Sequence, residues 1–391
     1  MQRSTERILT TFVGSLIRPP ALRELIAARE SGQAVDEQQY AATLRQAVAD
    51  AVHTEAEVGL DVVSDGEFGK SNWATYILDR VGGFEVRPAP PGTPVYNRFG
   101  RERDEFADFY GQHTVGEWQP RIVVCTGPIT YDSSHVRRDI DNFRHALAQT
   151  SVTEAFMPVV APASFVRDAH NEFYPSEEAY VYAIAEALRH EYQAILDAGF
   201  LLQVDDAVLA TMWVVMEAEG LDAYRRWAQL RVEALNHALR GLPEERIRYH
   251  LCWGSWPGPH VTDIPLAQIV DLLLQVRAGA YSIEAGNARH AHEWQVWQDT
   301  RLPEGKVLIP GVISHSTPVV EHPELVAERL VRYAGLVGRD NVIGGSDCGF
   351  AQSQGLSRVP PSIMWAKLHA LSQGARLASE ALFGQASAAR V

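Results

Sequence analysis

Residues 250–252 read His250-Leu251-Cys252 within an apolar and β-branched run. Residues two apart on a strand point to the same face, so this imidazole and thiol can bind one ion together. Glu284 and Cys348 end two other runs of the same kind and can complete a set of four. One imidazole, two thiolates and one carboxylate suit tetrahedral Zn²⁺ and suit Mg²⁺ or Ca²⁺ poorly. A His-x-Cys on a buried strand is equally readable as two packed core residues, and both readings stand at this point. Cys125 has no partner of this kind nearby and reads as structural. Close Cys-x-x-Cys pairs are missing, and a chain of this size needs no metal staple. A bound metal would therefore be more naturally catalytic than structural.

Such a site needs strands that end together. Eight short apolar runs alternate with longer segments of helical period: 8–13, 61–65, 157–161, 200–204, 246–252, 280–284, 306–313 and 341–345. The helical period is clearest over 38–59, 177–199 and 321–338, a helix over 264–279 is expected to open at Thr262 or Asp263, and 362–383 closes the chain. This alternation predicts an α/β fold, a (β/α)8 TIM barrel in one domain over 1–391. Residues 81–150 break the rhythm with Pro, Gly, Arg and aromatics and contain a strand-like run of their own at 121–126. They read as an insertion after the second strand, over the barrel mouth.

The chain has 391 residues and a formal charge of −14, which argues against nucleic acid or an anionic membrane as partner. No apolar run approaches the ~20 residues a membrane helix needs, and the first residues carry no signal-peptide pattern. A cytoplasmic location is expected. Three widely spaced cysteines exclude a disulfide framework there. A homo-oligomer stays open.

In a parallel barrel the reacting groups sit at the carboxyl ends of the strands. The ends here are Gly14-Ser15, Asp65-Gly66-Glu67, Asp205-Asp206, His250 with Cys252, Glu284, Ser314-His315-Ser316 and Asp347-Cys348-Gly349. In that order, with Thr10-Thr11-Phe12-Val13 before the first and Gly345-Ser346 before the last, the set resembles the cobalamin-independent methionine synthase family. The likeness is to its catalytic C-terminal barrel and extends to the epoxyalkane:coenzyme M transferase branch. The resemblance implies that His250, Cys252, Glu284 and Cys348 are zinc ligands. It implies that Ser15, Glu67 and Asp205 hold an amino acid thiol and that His315 lies near a proton-donating histidine. In the chemistry of such a site His315 or Asp205 would protonate the leaving group. Asp65 joins Glu67 as a candidate for the substrate amine, although either can bind backbone amides instead.

Two departures matter. Thr211 stands where the methionine synthase pattern has a glutamate, and Ala161-Pro162-Ala163-Ser164 replaces its third-strand Gly-Pro-Val-Thr. The residues after Cys252 and around Pro310 look closer to the coenzyme M transferase branch. The expected function is zinc-dependent transfer of an alkyl group, foremost methyl, from an alkyl donor to a small-molecule thiol, of the homocysteine S-methyltransferase type in methionine biosynthesis. The alternatives are epoxide-thiol transfer or carbon-sulfur cleavage, which an anionic group held by Arg18 or Arg167 would favour, and a non-catalytic zinc-binding barrel. His260, His290 and His292 read as surface or loop histidines. The tryptophans behind strands five and six read as loop packing with a partial cavity wall.

Overall fold

A computed structural model describes residues 1–88, 100–113, 121–166, 169–353 and 356–384. Eight parallel strands form the sheet: β1 (Leu9–Thr10), β2 (Val62–Val63), β3 (Glu154–Val160), β4 (Leu201–Asp206), β5 (Ile247–Leu251), β6 (Ala280–Glu284), β7 (Val307–Ile313) and β8 (Ile343–Ser346). They lie in the order β1-β8-β7-β6-β5-β4-β3-β2. Thr10 O accepts from Asp61 N at 3.1 Å, and Thr11 Oγ1 donates to Val62 O at 3.0 Å, which draws β1 and β2 together across the remaining gap. The result is the (β/α)8 barrel expected from the alternation of runs, and each strand overlaps one of the eight runs.

Burial explains the runs. β5, β6 and β7 are buried at every position, as strands covered by helices outside and packed side chains inside must be. The helix Glu37–Glu57 starts where Asp36 accepts from Gln38 N and Gln39 N. The helix Glu177–Asp197 starts where Ser176 accepts from Ala179 N, so two of the four unpaired amide groups in one case, and one in the other, are satisfied locally. The long closing helix is Pro361–Phe383.

The described residues of 81–150 fall into three parts, one of them the short helices Glu102–Glu105 and Ala107–His113, where Glu102 accepts from Val261 N behind the site. Val81–Pro88 and Arg121–Tyr131 form an antiparallel hairpin, which Ala169–Asn171 extends as a third strand. Ser134–Leu147, by contrast, packs on Glu37–Glu57 and on Glu177–Asp197, so it belongs to the ring of helices around the barrel. Arg80 ties the latter two parts together, with Nη2 2.6 Å from Asp139 and Nη1 2.7 Å from Glu191.

The helix expected over 264–279 is shorter than its sequence pattern. A 3₁₀ turn at Leu266–Gln268 precedes a helix limited to Val270–Gln275. Asp263 does not cap it, because its carboxylate binds His260 and His290 instead. Among the described residues no helix is long and apolar enough to cross a membrane.

Candidate metal centre and adjoining cavity

β5 carries His250 near its end, and Cys252 follows directly, so both side chains face the barrel axis as their spacing requires. Cys348 lies two residues past Ser346, the last residue of β8. The ligand atoms of His250, Cys252 and Cys348 lie within 4.8 Å of one another, with the two sulfurs 3.6 Å apart. His250 is held through Nδ1, 3.1 Å from Ser282 Oγ on β6. Its Nε2 is buried with no hydrogen-bond partner among the described residues. A buried nitrogen without a partner is costly, and its lone pair is what a cation would take.

Electrostatics favour the same reading. Burial first, then Arg248, lowers the His250 pKa to about 3, so the imidazole is neutral and free to donate its lone pair. The neighbouring Cys348 sulfur, then burial, pushes the Cys252 thiol well above its ordinary range. Two thiols this close either stay protonated or share a cation. Gly254 N donates to Cys252 Sγ at 3.2 Å, a contact that a thiolate strengthens.

Glu284, the fourth residue of the expected set, stands apart from this group of three. Its Oε1 accepts from Trp253 N at 2.8 Å and its Oε2 from Asn287 Nδ2 at 2.8 Å. It is buried, and burial raises its pKa. Asp347 braces this corner: Oδ1 accepts from Ala285 N at 2.8 Å and Gly286 N at 2.7 Å, and Oδ2 accepts from Asn287 Nδ2 at 3.1 Å. One carboxylate thus fixes the ends of β6 and β8 to each other, and with them Glu284 and Cys348.

A cavity of about 180 Å³ opens beside the sulfurs, many times what one water needs, so it admits a small molecule. Ser15, Glu67, Asp205 and Thr211 line it together with His250, Cys252 and Cys348. Gly349 lets the first and last strand ends meet there, since a Cβ at 349 would lie 1.9 Å from Ser15 Oγ. Phe350 N donates to Ser15 O at 2.9 Å and Ala351 N to Ser15 Oγ at 3.3 Å. Glu67 takes a left-handed φ of 58°, unusual for a residue with a side chain, and Lys70 Nζ lies 3.1 Å from its Oε2. Asp205 accepts from Gln203 Nε2 at 2.8 Å, and burial followed by the charge of Glu67 raises its pKa well above the usual range. Asp206, the next residue, turns away to accept from Val208 N and Leu209 N at the start of the following helix.

Asp65 is not among the residues lining the cavity. Its Oδ1 accepts from Glu67 N at 3.0 Å, so it supports the left-handed turn that presents Glu67. His315 also stands behind the cavity wall, with Nε2 2.5 Å from the hydroxyl of Ser255, which does line it. Arg18 directs Nη2 to the carbonyls of Glu67 and Lys70, and Arg167 lies outside the described residues. Among the described residues the cation that lines the cavity is Arg358.

Two of the three histidines behind the site, His290 and His260, correct their sequence reading, while His292 is exposed as expected. His290 is 3 % exposed and lies between Asp263, 3.1 Å from Nε2, and Glu293, 2.8 Å from Nδ1. His260 stacks on Trp256 with ring centroids 3.9 Å apart and meets Asp263 at 2.9 Å. Loop composition suggests exposure; two carboxylates distant in sequence or placed by a turn make burial tolerable. Trp253 is packed, donating to Ile264 O, whereas Trp256 forms part of the cavity wall.

The barrel and its thiol-lined centre define a class that sequence comparison makes explicit. The family model described as Cobalamin-independent synthase, Catalytic domain matches residues 8–89 and 113–361, and the chain belongs to that family. Among its relatives, the methionine synthase of Sulfurisphaera tokodaii is 22% identical over 376 residues, covering 95% of this chain and 93% of that protein. The Bacillus subtilis protein YxjH, described as uncharacterized, is 25% identical over 369 residues, covering 91% and 90% of the two chains. The structure of a B12-independent methionine synthase from a Shewanella species in complex with selenomethionine superposes with a TM-score of 0.72 at 19% identity, over 96% of this chain and 99% of that one, which shows a shared fold.

Proposed function

We propose that this chain is a zinc-dependent transferase that moves a methyl group onto a small-molecule thiol. The observation that carries the reading is the meeting of His250 Nε2, Cys252 Sγ and Cys348 Sγ at the floor of a cavity that Ser15, Glu67 and Asp205 also line. Two thiolates and an imidazole suit zinc better than the harder divalent ions. Glu284, buried at the end of β6, would serve as the fourth ligand on leaving its contacts with Trp253 N and Asn287 Nδ2. Zinc held there would supply the substrate sulfur as a nucleophile near neutral pH. The remaining work falls to the chain's own groups. Glu67, paired with Lys70, and the buried carboxyl of Asp205 offer acceptor oxygens on one wall of the cavity to a substrate amine. Ser15 offers a hydroxyl on the same wall. Ser255 links the cavity to His315, which makes that pair the candidate path for a proton to the departing group.

Methionine synthases among the relatives support a methyl donor and an amino acid acceptor. The second reading, opening of an epoxide by a thiol, is favoured by one observation. Thr211 lines the cavity at the position where the methionine synthase pattern has a carboxylate for the amine, and its hydroxyl is turned back to Ala207 O at 2.6 Å. Metal analysis tests the common core of both. Protein purified without added zinc is expected to carry about one ion per chain, and Cys252→Ser and Cys348→Ser are each expected to lose it. Full retention in both variants contradicts the ligand assignment.

A further inference from the structure

The cavity beside the sulfurs contains one guanidinium whose charge the described residues leave unmatched. Arg358 lies ten residues beyond Cys348, and its Nε and Nη2 both donate to a single acceptor, Ser255 O. Among the described residues no carboxylate pairs with it, and its Nη1 has no hydrogen-bond partner. The two acids of the same cavity are engaged elsewhere, Glu67 with Lys70 and Asp205 with Gln203. Arg358 is half-buried, burial lowers its pKa, and the influence opposing that comes from Cys348, which puts the guanidinium within electrostatic reach of the sulfur centre. The carbonyl of Ser255 fixes one edge of the planar fork, leaving the other edge to an acceptor. A fork of that kind matches a carboxylate or sulfonate in geometry and charge.

We infer that Arg358 is the anion anchor of this cavity, so that the acceptor is a thiol carrying a carboxylate or sulfonate whose sulfur reaches His250, Cys252 and Cys348. The inference rests on the thiol-transfer reading above and narrows its substrate class. It also assigns a specificity role to a residue outside the expected ligand and substrate set.

The test titrates the zinc-loaded full chain with two arms of thiols. The anionic arm is 3-mercaptopropionate and 2-mercaptoethanesulfonate; the other is 2-mercaptoethanol and cysteamine. Binding is read by calorimetry, and entry of sulfur beside the metal by X-ray absorption. Wild type is expected to bind an anionic thiol about ten-fold or more tighter than 2-mercaptoethanol, as a charge-assisted pair implies. Arg358→Gln is expected to lose that preference while keeping its affinity for 2-mercaptoethanol, and Arg358→Lys to recover part of it. A stronger response to the carboxylate or to the sulfonate identifies which anion the site takes, and either supports the inference. Equal affinity of wild type for both arms, or an anionic preference unchanged in Arg358→Gln, overturns it. If no thiol of either arm adds sulfur in wild type, the thiol-transfer reading itself fails and this inference falls with it. Matching zinc content and melting temperature in the variants separate loss of the anchor from loss of the fold.

Discussion

The two nitrogens of His250 have different surroundings, and that difference sets what the residue can do. Nδ1 faces Ser282 Oγ at 3.1 Å, while Nε2 is buried without a partner among the described residues. The ring cannot rotate without losing the Ser282 contact, and the tautomer in which Nδ1 donates to Ser282 is the one that leaves Nε2 a lone pair for a cation. Ser282→Ala is therefore expected to weaken metal affinity by about 10–100-fold, the usual cost of removing such an outer partner, with little change in melting temperature. Competition with a chromophoric chelator measures this; an affinity equal to wild type contradicts the role. The sequence exposes the candidate ligands more readily than their supports. Spacing puts His250 and Cys252 on one face and a strand end marks Cys348, which leaves packed core and metal site both open until the three meet in the fold. Ser282 and Asn287 carry no such mark, since a serine on a strand or an asparagine in a loop is ordinary. Asp347 is visible in the sequence only as a polar strand end, because its two amide partners, Ala285 and Gly286, lie 62 and 61 residues earlier. Arg358 carries no sequence signal for the same reason: the carbonyl that holds it is 103 residues away.

At the scale of elements, the strand ends collect chemistry because each is held by a polar contact made across the barrel. Asp347 ties β8 to β6, Gln203 Nε2 on β4 donates to Val13 O beyond β1, and Arg248 on β5 donates to Thr11 Oγ1 and Phe12 O. Glu55 makes a similar tie outside the barrel, from the helix Glu37–Glu57 to the loop after β2. It is fully buried, with Oε2 accepting from Ser64 N at 2.9 Å and Oε1 without a partner among the described residues. Burial raises its pKa well above its ordinary 4.5. A carboxyl whose folded pKa is raised contributes stability below its unfolded pKa and loses it as pH climbs toward the folded value. Wild type should thus lose stability relative to Glu55→Gln as pH rises from 4.5 to neutrality or beyond. Thermal melts of both proteins in acidic and in mildly alkaline buffer check this, and a difference that does not grow with pH contradicts it. The eight barrel strands are legible in the sequence because a continuous apolar run of strand length, ended by polar residues and followed by a helical period, fits a buried parallel strand and little else. The helix Val270–Gln275 falls short of its pattern because apolar residues at helical spacing continue past its end, although Val276 is already extended as its C-cap. Ser134–Leu147 is hidden by its neighbourhood: the Pro, Gly and aromatic residues before it mark the whole stretch as an insertion, although Val136, Ile140 and Phe143 recur at helical spacing and are buried.

For the whole molecule, the barrel rim brings residues from β1, β2, β4, β5 and β8 and their following loops onto one cavity, while the hairpin Val81–Pro88 with Arg121–Tyr131 stands beside the ring and is tied to it through Arg80. Ordered strand-end motifs make this convergence foreseeable, because a closed barrel places every strand end on one face whatever the distance in sequence. Side-chain direction is not foreseeable in the same way. Asp205 faces the cavity and Asp206 caps a helix, yet the two are identical and adjacent. His315 meets the cavity wall through Ser255, and Glu284 lies outside the cluster of three. The claim on which the rest depends is that a substrate thiol joins His250, Cys252 and Cys348 at one metal. Zinc X-ray absorption on the full chain, before and after addition of an acceptor thiol, tests it most directly. Two sulfurs around zinc in the free protein and a third after addition are the predicted result; a shell that stays at two sulfurs with every thiol that binds contradicts the account.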